Sequence, residues 1–478
     1  MIKCPNCSAE LNYDVGAQQI VCEYCGSKFN PKELKTSQKN AQELEAYEEI
    51  EGKSYLCSQC GAKLMTFDET AITFCSYCGS QAMIESKMMK TNKPDFIIPF
   101  KKTQEECEKA YKRKLRKAIF APNYMKSDIV VSKFRGIFMP YVVYSLSKNG
   151  ETKNKGSKFV KHRNNYDYYD DYEISAFVDA EYKGISYDLV SKFYDSFSHA
   201  IPFNYKEVEE FNPNYLISFY ADTMNVKNNI YDGEATRMAR EDSYNYLKNK
   251  KEFRKYGCSH PKAELDISER KIGMFPVYFL AVRDKNNQYV NYAVVNGQTG
   301  KVAADLPISF LKYIIGSLIL TIPLLFLFEA SSVILLPHVI TVLAIIFSVI
   351  SFFVSNSLLN KVYEREHHTD DLGYIHDEKN SEEVIEEDNK KKSKKKKVKN
   401  KYPFMYKLRK YLIKQIVAII ICIIILNINP IQDAYYYGAA MLSLGITIWA
   451  FKDLVKEHNL LVSTKLPQLE KRGGDEHE

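Results

Sequence analysis

The distribution of apolar residues divides the chain into two unlike parts. Most of the uninterrupted apolar runs, such as "IVAIIICIIIL", lie after residue 305, whereas earlier apolar residues occur in short stretches or at helical spacing. A helix of about 20 apolar residues is long enough to cross a bilayer. The runs therefore predict four transmembrane helices, near 309–328, 332–354, 412–429 and 435–452. Short joints, "EASS" and "NINPIQD", predict that they pair into two hairpins.

A helix is predicted before these runs, from an N-terminal capping motif and from an apolar face. Thr103 followed by Glu106 forms a capping box. Apolar residues then recur at helical spacing, at Cys107, Ala110, Tyr111, Leu115 and Ala118. Cys107 is therefore predicted to be a small core residue rather than a reactive thiol.

Sequence patterns typical of β-strands follow this helix. Residues 128–147 predict strands broken at Gly136 and Pro140, and residues 277–305 predict two strands joined at 284–288 with a second turn at 296–300. A tyrosine- and aspartate-rich stretch from Tyr166 to Tyr172 fits an exposed polar loop, with a binding surface as the alternative. Together these signals predict an α+β domain over residues 91–306.

Eight of the eleven cysteines form four CxxC pairs. The two tetrads share the spacing C-x2-C-x14-C-x2-C, and they comprise Cys4, Cys7, Cys22 and Cys25, then Cys57, Cys60, Cys75 and Cys78. Two intervening residues let one turn direct both sulfurs at the same ion, and zinc takes four thiolates at tetrahedral corners. A redox pair is the alternative for a single CxxC, but the repeated spacing favours two zinc ribbons, each holding one structural Zn²⁺. With four protein ligands, neither ion has an open position for a substrate. The stretches "LNY" and "IVC" in the first ribbon and "AITF" (71–74) in the second predict short strands, and Gly26 and Gly79 predict turns with positive φ after the second pair of cysteines.

The charge is unevenly distributed. Residues 1–90 contain nine lysines, no arginine and twelve acidic residues, a net charge of −3, although the whole chain has a net charge of +7. Residues 390–401 hold nine lysines directly after the acidic stretch at 382–388, which predicts a solvated, partly disordered loop that binds anionic lipid in one interpretation. Because residues 1–90 have a net charge of −3 and no arginine, few phosphate contacts are available to the ribbons, and nucleic-acid binding is disfavoured.

Lysine and arginine residues also predict the orientation in the membrane. They flank the four helices on the side of the long loop and of both termini, whereas the two hairpin tips carry only Glu329 and Asp433 as charged residues. By the positive-inside tendency, both termini are cytoplasmic. The start "MIKCPNC" carries no apolar signal sequence, and reduced cysteines fit a cytosolic N-terminus. His338, inside the second span, is interpreted as an interfacial histidine, with a proton relay as the alternative.

Several stretches resemble a known family. The paired ribbons, "IIPF" (97–100), "GIFMPYVVY" (136–144), "PNYLISFYAD" (213–222) and "VVNGQTGKVAADLPIS" (294–309) are similar to TFIIB-type zinc-ribbon membrane proteins of Gram-positive bacteria. The resemblance covers roughly residues 1–312. Members often carry Trp and Asp where this chain has Val142 and Ser145, and they have one membrane hairpin rather than two. The resemblance implies an anchor for envelope-stress proteins, with a phage shock protein A homologue as a partner.

No catalytic motif is present: the chain lacks HExxH, GxSxG and a phosphate-binding glycine loop, so an enzyme is not predicted. The predicted function is a multi-pass membrane adaptor that recruits cytosolic proteins. A membrane-tethered nucleic-acid-binding regulator and a transporter subunit are the alternatives. The predicted domains are ribbon 1 (1–30), an acidic linker that forms a short helix or a loose tether (31–52), ribbon 2 (53–90), the α+β domain (91–306), hairpin 1 (307–355), a charged loop (356–410), hairpin 2 (411–453) and a tail (454–478).

Overall fold

The computed structural model describes residues 3–34, 49–59, 61–66, 75, 77, 80–81, 83–127, 134–191, 193–283, 289–330, 336–366, 371–373, 375 and 404–465. Most of the predicted linker and the whole lysine run lie outside these residues. Within them, the chain forms a small three-stranded sheet, a mixed sheet of 12 strands with helices, and four apolar helices.

The small sheet is ribbon 1. Its strands are β1 (Leu11–Asp14), β2 (Gln19–Cys22) and β3 (Lys28–Phe29), and β2 pairs antiparallel with both neighbours. Residues alternate along β1, so that Leu11 and Tyr13 are buried while Asn12 and Asp14 are exposed. The strands predicted at "LNY" and "IVC" are confirmed.

The second ribbon region belongs to the large sheet. That sheet comprises β4 (Glu49–Cys57), β5 (Lys63–Thr66), β6 (Met83–Asn92), β7 (Phe96–Ile97), β8 (Arg135–Arg163), β9 (Tyr166–Asp188), β10 (Glu209–Glu210), β11 (Tyr220–Asp222), β12 (Asp266–Arg283), β13 (Tyr289–Asn296), β14 (Val302–Ala304) and β15 (Thr464–Lys465). β4 pairs with β5 and β6, and β5 pairs antiparallel with β11. The ribbon 2 strands therefore continue the sheet of the soluble domain. Residues 71–74, predicted as a strand, lie outside the described residues.

Strand β8 runs through Gly136 and Pro140 without interruption, so the predicted breaks at these residues are wrong. One edge of β8 pairs with β12 throughout this region. The other edge pairs with β11 at Phe138 and with β9 from Tyr141 onward. Pro140 lies between the part of β8 that pairs with β11 and the part that pairs with β9. Its carbonyl accepts a hydrogen bond from Leu189 N at 2.9 Å. A residue without an N–H is tolerated at such a position.

Beyond Ser147, β8 no longer pairs with β12 and forms a long hairpin with β9. Its turn residues, Asn164 and Asn165, both have positive φ (53° and 59°), as a two-residue type I′ turn requires. The tyrosine-rich stretch from Tyr166 to Tyr172, predicted as a loop, is strand β9 in this hairpin.

The helices of the soluble domain are α1 (Gln104–Lys117), α2 (Asp195–Ala200), α3 (Asp232–Leu247) and α4 (Lys251–Lys255), with short 3-10 helices at Asn123–Lys126, Tyr205–Glu207 and Pro213–Leu216. The capping box that predicted α1 is confirmed, since Glu106 N donates to Thr103 and Thr103 N donates to Glu106. Cys107 is fully buried, as expected of a core residue.

The apolar helices are α5 (Phe310–Ala330), α6 (Pro337–Glu366), α7 (Phe404–Ile428) and α8 (Asp433–Leu461). Two of the helices, within Pro337–Leu358 and Asp433–Asn459, are long and apolar enough to cross a membrane by length and composition. The apolar parts described in α5 and α7, Phe310–Pro323 and Leu412–Ile428, are shorter. Helices α6, α7 and α8 pack against one another.

The apolar helices are attached to the soluble domain at several points. Ile308, just before α5, exchanges two backbone–side-chain hydrogen bonds with Asn459 near the end of α8, at 2.7 and 2.8 Å. Strand β15, after α8, pairs with β13. Leu372, in the segment predicted as a charged loop, donates its N–H to buried Asp195 at 2.9 Å. The soluble domain and the helices are thus directly joined.

Candidate metal centre

The four cysteines of ribbon 1 converge on one point. Cys4 and Cys25 sulfurs lie 3.7 Å apart, and those of Cys7 and Cys22 lie 3.4 Å apart. All four sulfurs are within 4.8 Å of one another. A Zn–S distance of about 2.3 Å implies S···S distances of about 3.8 Å in a regular tetrahedron. The predicted tetrad is therefore assembled with dimensions suited to a single metal ion.

Backbone hydrogen bonds shape the two turns that carry these cysteines. Cys4 N donates to Ala9 O at 2.8 Å, and Cys22 N donates to Ser27 O at 2.9 Å. Gly26 follows the second pair with φ 71°, as predicted. Ser8 takes the same position after the first pair with φ 60°, a conformation that costs a non-glycine residue more.

The thiols of ribbon 1 differ in acidity. The hydroxyl and the backbone N–H of Ser27 lower the pKa of Cys25 to about 6. At Cys7 the N–H of Ala9 lowers the pKa, but burial and the neighbouring thiols outweigh it and raise the pKa to about 12. The thiols of Cys7 and Cys25 therefore do not ionise together, and a metal ion bound by four thiolates must displace protons. Four sulfur donors with no open position fit a structural zinc ion.

The second tetrad is described in part. Cys57 and Cys75 are buried, whereas Cys60 and Cys78 lie outside the described residues, as does Gly79. Both described cysteines repeat the ribbon 1 turn: Cys57 N donates to Ala62 O at 2.9 Å, and Cys75 N donates to Ser80 O at 2.7 Å. Gly61 has φ 71°, matching Gly26. Each described cysteine thus makes the same backbone hydrogen bond, from its N–H to the carbonyl five residues later, as Cys4 and Cys22 in ribbon 1.

The two ribbons differ sharply in their surroundings. Tyr24 and Tyr77 occupy the same position, between the cysteines of the second CxxC pair in each tetrad. The side chain of Tyr24 is 84% exposed, whereas that of Tyr77 is 1% exposed. Tyr77 donates to Asp222 and packs edge-on against Phe279, with ring centroids 4.9 Å apart. Burial, reinforced by Asp222, raises the pKa of Tyr77 well above its ordinary value.

Ribbon 1 contacts the soluble domain through strand β1, the turn after it and the residues after β3. Gln18 donates to Phe100 O at 2.6 Å, and Asn214 donates to Pro31 O at 2.9 Å and Leu34 O at 3.0 Å. Tyr13 packs against Tyr215, with ring centroids 5.9 Å apart. The ribbon is therefore held against the domain while Tyr24 faces solvent.

The stretch "NGQTG" at 296–300 forms the turn between β13 and β14. Buried Asn296 donates to Ile201 O at 3.1 Å and to Pro202 O at 2.8 Å, and it accepts from Gln298 N and Thr299 N. Gly297 O accepts from Lys101 N and Lys102 N at 2.9 and 2.7 Å. The motif that carries the family resemblance therefore has a structural role in fixing the start of α1.

Comparison with known proteins gives one informative match. The chain is similar to the uncharacterized protein YdjG of Bacillus subtilis strain 168, with 25% identity over 318 residues that span 64% of this chain and 90% of YdjG. No protein-family model matches the chain. No solved structure matches it either. The match identifies YdjG as a distant bacterial homologue.

Sequence reasoning identified the cysteines but missed what distinguishes the two ribbons. The repeated tyrosine between the cysteines was visible as "CEYC" and "CSYC". Its exposure depends on whether the sheet of the soluble domain covers the turn, which no local pattern encodes. Hydrophobic residues of both ribbons, including Tyr13 and Tyr55, are in fact part of the buried clusters of the domain.

Proposed function

We propose that this protein is a membrane-anchored zinc-ribbon adaptor, in which ribbon 1 docks a cytosolic protein. In this proposal each ribbon holds one structural Zn²⁺ ion. Ribbon 2 completes the sheet of the soluble domain, and ribbon 1 presents its second turn to the partner. The resemblance to TFIIB-type zinc-ribbon membrane proteins makes a phage shock protein A homologue the first partner to test.

The observation that carries this proposal is the exposure of Tyr24. Tyrosine is enriched among residues that dominate the binding energy of protein interfaces. Here it projects from a turn that is rigid when metal is bound, so little conformational entropy is lost on docking. Ribbon 1 up to residue 34 holds three lysines and four acidic residues, a net charge of −1. That balance favours a protein over the phosphates of nucleic acid.

We expect Tyr24→Ser to weaken capture of the partner about 30-fold, the loss of one interface hot spot. The measurement is crosslinking and pull-down of the full-length protein from intact membranes, followed by titration with a purified phage shock protein A homologue. Tyr169→Ser is the matched control, because this tyrosine is 54% exposed but lies on the distant hairpin. Equal recovery with both variants would contradict docking through ribbon 1. Salt-sensitive binding of DNA or RNA by the wild type, without a protein partner, would favour the nucleic-acid regulator.

Contacts along the apolar half support four membrane passes. Ile308 at the start of α5 bonds to Asn459 near the end of α8. Gln415, near the start of the apolar part of α7, donates to Ser355, near the end of the apolar part of α6, at 2.8 Å. Leu372, shortly after α6, bonds to the soluble domain. These ends lie toward the soluble domain, as helices that alternate in direction require.

A topology experiment tests this arrangement. We expect green fluorescent protein fused at residue 390 to fluoresce and alkaline phosphatase fused there to be inactive. At Asp433 we expect the opposite result, because that residue starts α8 at the far end of the bundle. Expression of each fusion is checked by immunoblot. Active phosphatase at 390 would overturn the cytosolic assignment of the loop and, with it, the positive-inside interpretation.

The alternative of a transporter subunit is not favoured by the packing of α6, α7 and α8. The polar side chains between these helices bond to one another: Ser348 lies 3.1 Å from Ser443 and 3.4 Å from Thr447. Such bonds join helices within a bilayer. Ala439 and Ser443, which lie four residues apart in α8, are both buried in this bundle. His338 lies at the start of α6, which fits the interfacial interpretation.

A further inference from the structure

A strongly basic cavity of about 540 Å³ lies along one side of α1. Five basic residues line it: Lys102, Lys109, Lys112, Arg113 and Arg116. Four of them, at 109, 112, 113 and 116, recur at helical spacing on one face of α1, and Lys102 lies just before the helix, whereas Cys107, Tyr111 and Leu115 are buried in the core. The cavity therefore combines an open concave surface with a high density of positive charge.

Glu106, the acidic residue that lines the cavity, already has hydrogen-bond and ion-pair partners. Glu106 accepts from Thr103 N at 2.9 Å in the capping box and pairs with Lys102 at 2.9 Å. The Thr103 N–H, with Lys102, lowers the pKa of Glu106. Within the described part of the chain, Lys109, Arg113 and Arg116 have no ion-pair partner. The cavity thus retains an excess of cationic donors.

A turn of the large sheet also lines the cavity. Thr299 and Gly300 line the cavity at the turn after β13, where Gly300 has φ 73°. Lys102 N donates to Gly297 O at 2.7 Å, which fixes this turn to the start of α1. This hydrogen bond therefore fixes the backbone of the turn relative to the helix that carries the basic side chains.

The C-terminal end of α1 is attached to the first apolar helix. Phe120 packs against Tyr313, with ring centroids 5.3 Å apart, and Ser309 N donates to Phe120 O at 2.8 Å. Lys312 donates to Ala121 O at 2.7 Å. Tyr313 in turn stacks on Phe451 of α8, with ring centroids 4.9 Å apart. Arg113 and Arg116 therefore lie on a helix whose end is fixed to α5 and, through Tyr313, to a helix long enough to cross a membrane.

An exposed apolar residue lies between the basic face and α5. Ile119 is 62% exposed, directly after the basic last turn of α1. An apolar side chain beside clustered basic residues is typical of segments that lie at a membrane surface. A soluble anion needs no such neighbour, so the combination favours a lipid as the source of the phosphate.

We propose that this cavity binds the phosphate-bearing headgroup of an anionic phospholipid at the cytosolic face of the membrane. Arg113 and Arg116 suit a phosphate because guanidinium groups can donate two hydrogen bonds to its oxygens. The site is distinct from ribbon 1 and from the lysine run at 390–401. It rests on the proposed membrane anchoring, which the topology experiment tests separately.

The test uses native mass spectrometry of the full-length protein in neutral detergent, titrated with phosphatidylglycerol or phosphatidylcholine. We expect saturable binding of phosphatidylglycerol and none of phosphatidylcholine. Lys109→Gln with Arg113→Gln should weaken it about 30-fold. Lys114→Gln with Lys117→Gln is the matched control, because it removes two charges from the same helix outside the cavity and should change binding less than about threefold.

Two further arms separate a specific lipid site from diffuse charge and from a soluble ligand. The double variant Lys109→Arg with Arg113→Lys keeps the charge and should keep lipid binding. Unchanged zinc content and melting temperature verify that every variant is folded. Equal losses for the cavity pair and the control pair would overturn the proposal in favour of diffuse charge. Displacement of phosphatidylglycerol by inorganic phosphate at the same concentration as by glycerophosphoglycerol would overturn it in favour of a soluble phosphate ligand.

Discussion

Replacing Cys22 by serine should reduce the zinc content from two ions to one per chain and unfold ribbon 1. Cys22 is buried, and its sulfur lies 3.4 Å from that of Cys7. Zinc binding supplies about 10–16 kcal/mol of apparent folding free energy to small ribbons of this kind. Three strands of two to four residues bury too little apolar surface to replace it. Metal analysis of the full-length protein gives the zinc count, and limited proteolysis within residues 1–34 reports unfolding.

The control for this experiment is Cys107→Ser. Cys107 is buried in α1 and lies far from both tetrads in the sequence, so both zinc ions should remain. One ion or none in the wild type would refute the paired-ribbon prediction. Loss of both ions in Cys22→Ser would show that the two sites are coupled, contrary to the separate ligand sets. The full chain is needed because ribbon 2 shares strands with the domain.

Replacing Tyr77 by alanine should destabilise the soluble domain by about 3–5 kcal/mol, the usual cost of truncating a buried aromatic residue. Tyr77 fills a space beside Phe279 and donates to Asp222, which lies in β11. The corresponding change on the other ribbon, Tyr24→Ala, should alter stability by less than about 0.5 kcal/mol, because its side chain is exposed. Thermal unfolding in detergent measures both, and we expect a fall of about 10 °C for Tyr77→Ala alone.

Tyr77→Phe distinguishes the contribution of the ring to stability from that of the hydroxyl. If packing dominates, this variant should lose only about 1 kcal/mol, the net contribution of one hydrogen bond. Comparable destabilisation by Tyr24→Ala and Tyr77→Ala would mean that the two ribbons are embedded alike, contrary to the difference in exposure.

Structural features that follow from local sequence patterns were predicted correctly. The spacing of the ribbon 1 cysteines, the capping box of Thr103 and Glu106, and the strand pair joined at 284–288 each depend on residues a short distance apart. Their physical causes are tetrahedral coordination, helix-end hydrogen bonding and strand alternation. The second metal site, the four passes and the adaptor function remain predictions.

Features that depend on distant neighbours were not predicted. Pro140 stops a strand only if its missing N–H is needed, and the residue that contacts it from the neighbouring segment, Leu189, is far away in the sequence. The pairing of β5 with β11 also joins distant parts of the chain, and it determines whether ribbon 2 is separate or embedded. The β8–β9 hairpin was missed because its charged, tyrosine-rich strands have no buried face to impose alternation near the turn.

The pairing of β13 with both β14 and β15 has a mechanical consequence. β14 leads after a short segment into α5, and β15 follows α8 almost directly, and both pair with β13 at successive positions. No long loop separates the first and last apolar helices from the sheet. In the proposed membrane arrangement, a change in bilayer thickness or curvature that slides α5 past α8 would therefore produce shear along β13. Since one residue of register corresponds to about 3.3 Å, a displacement of that size would force this edge of the sheet to re-pair.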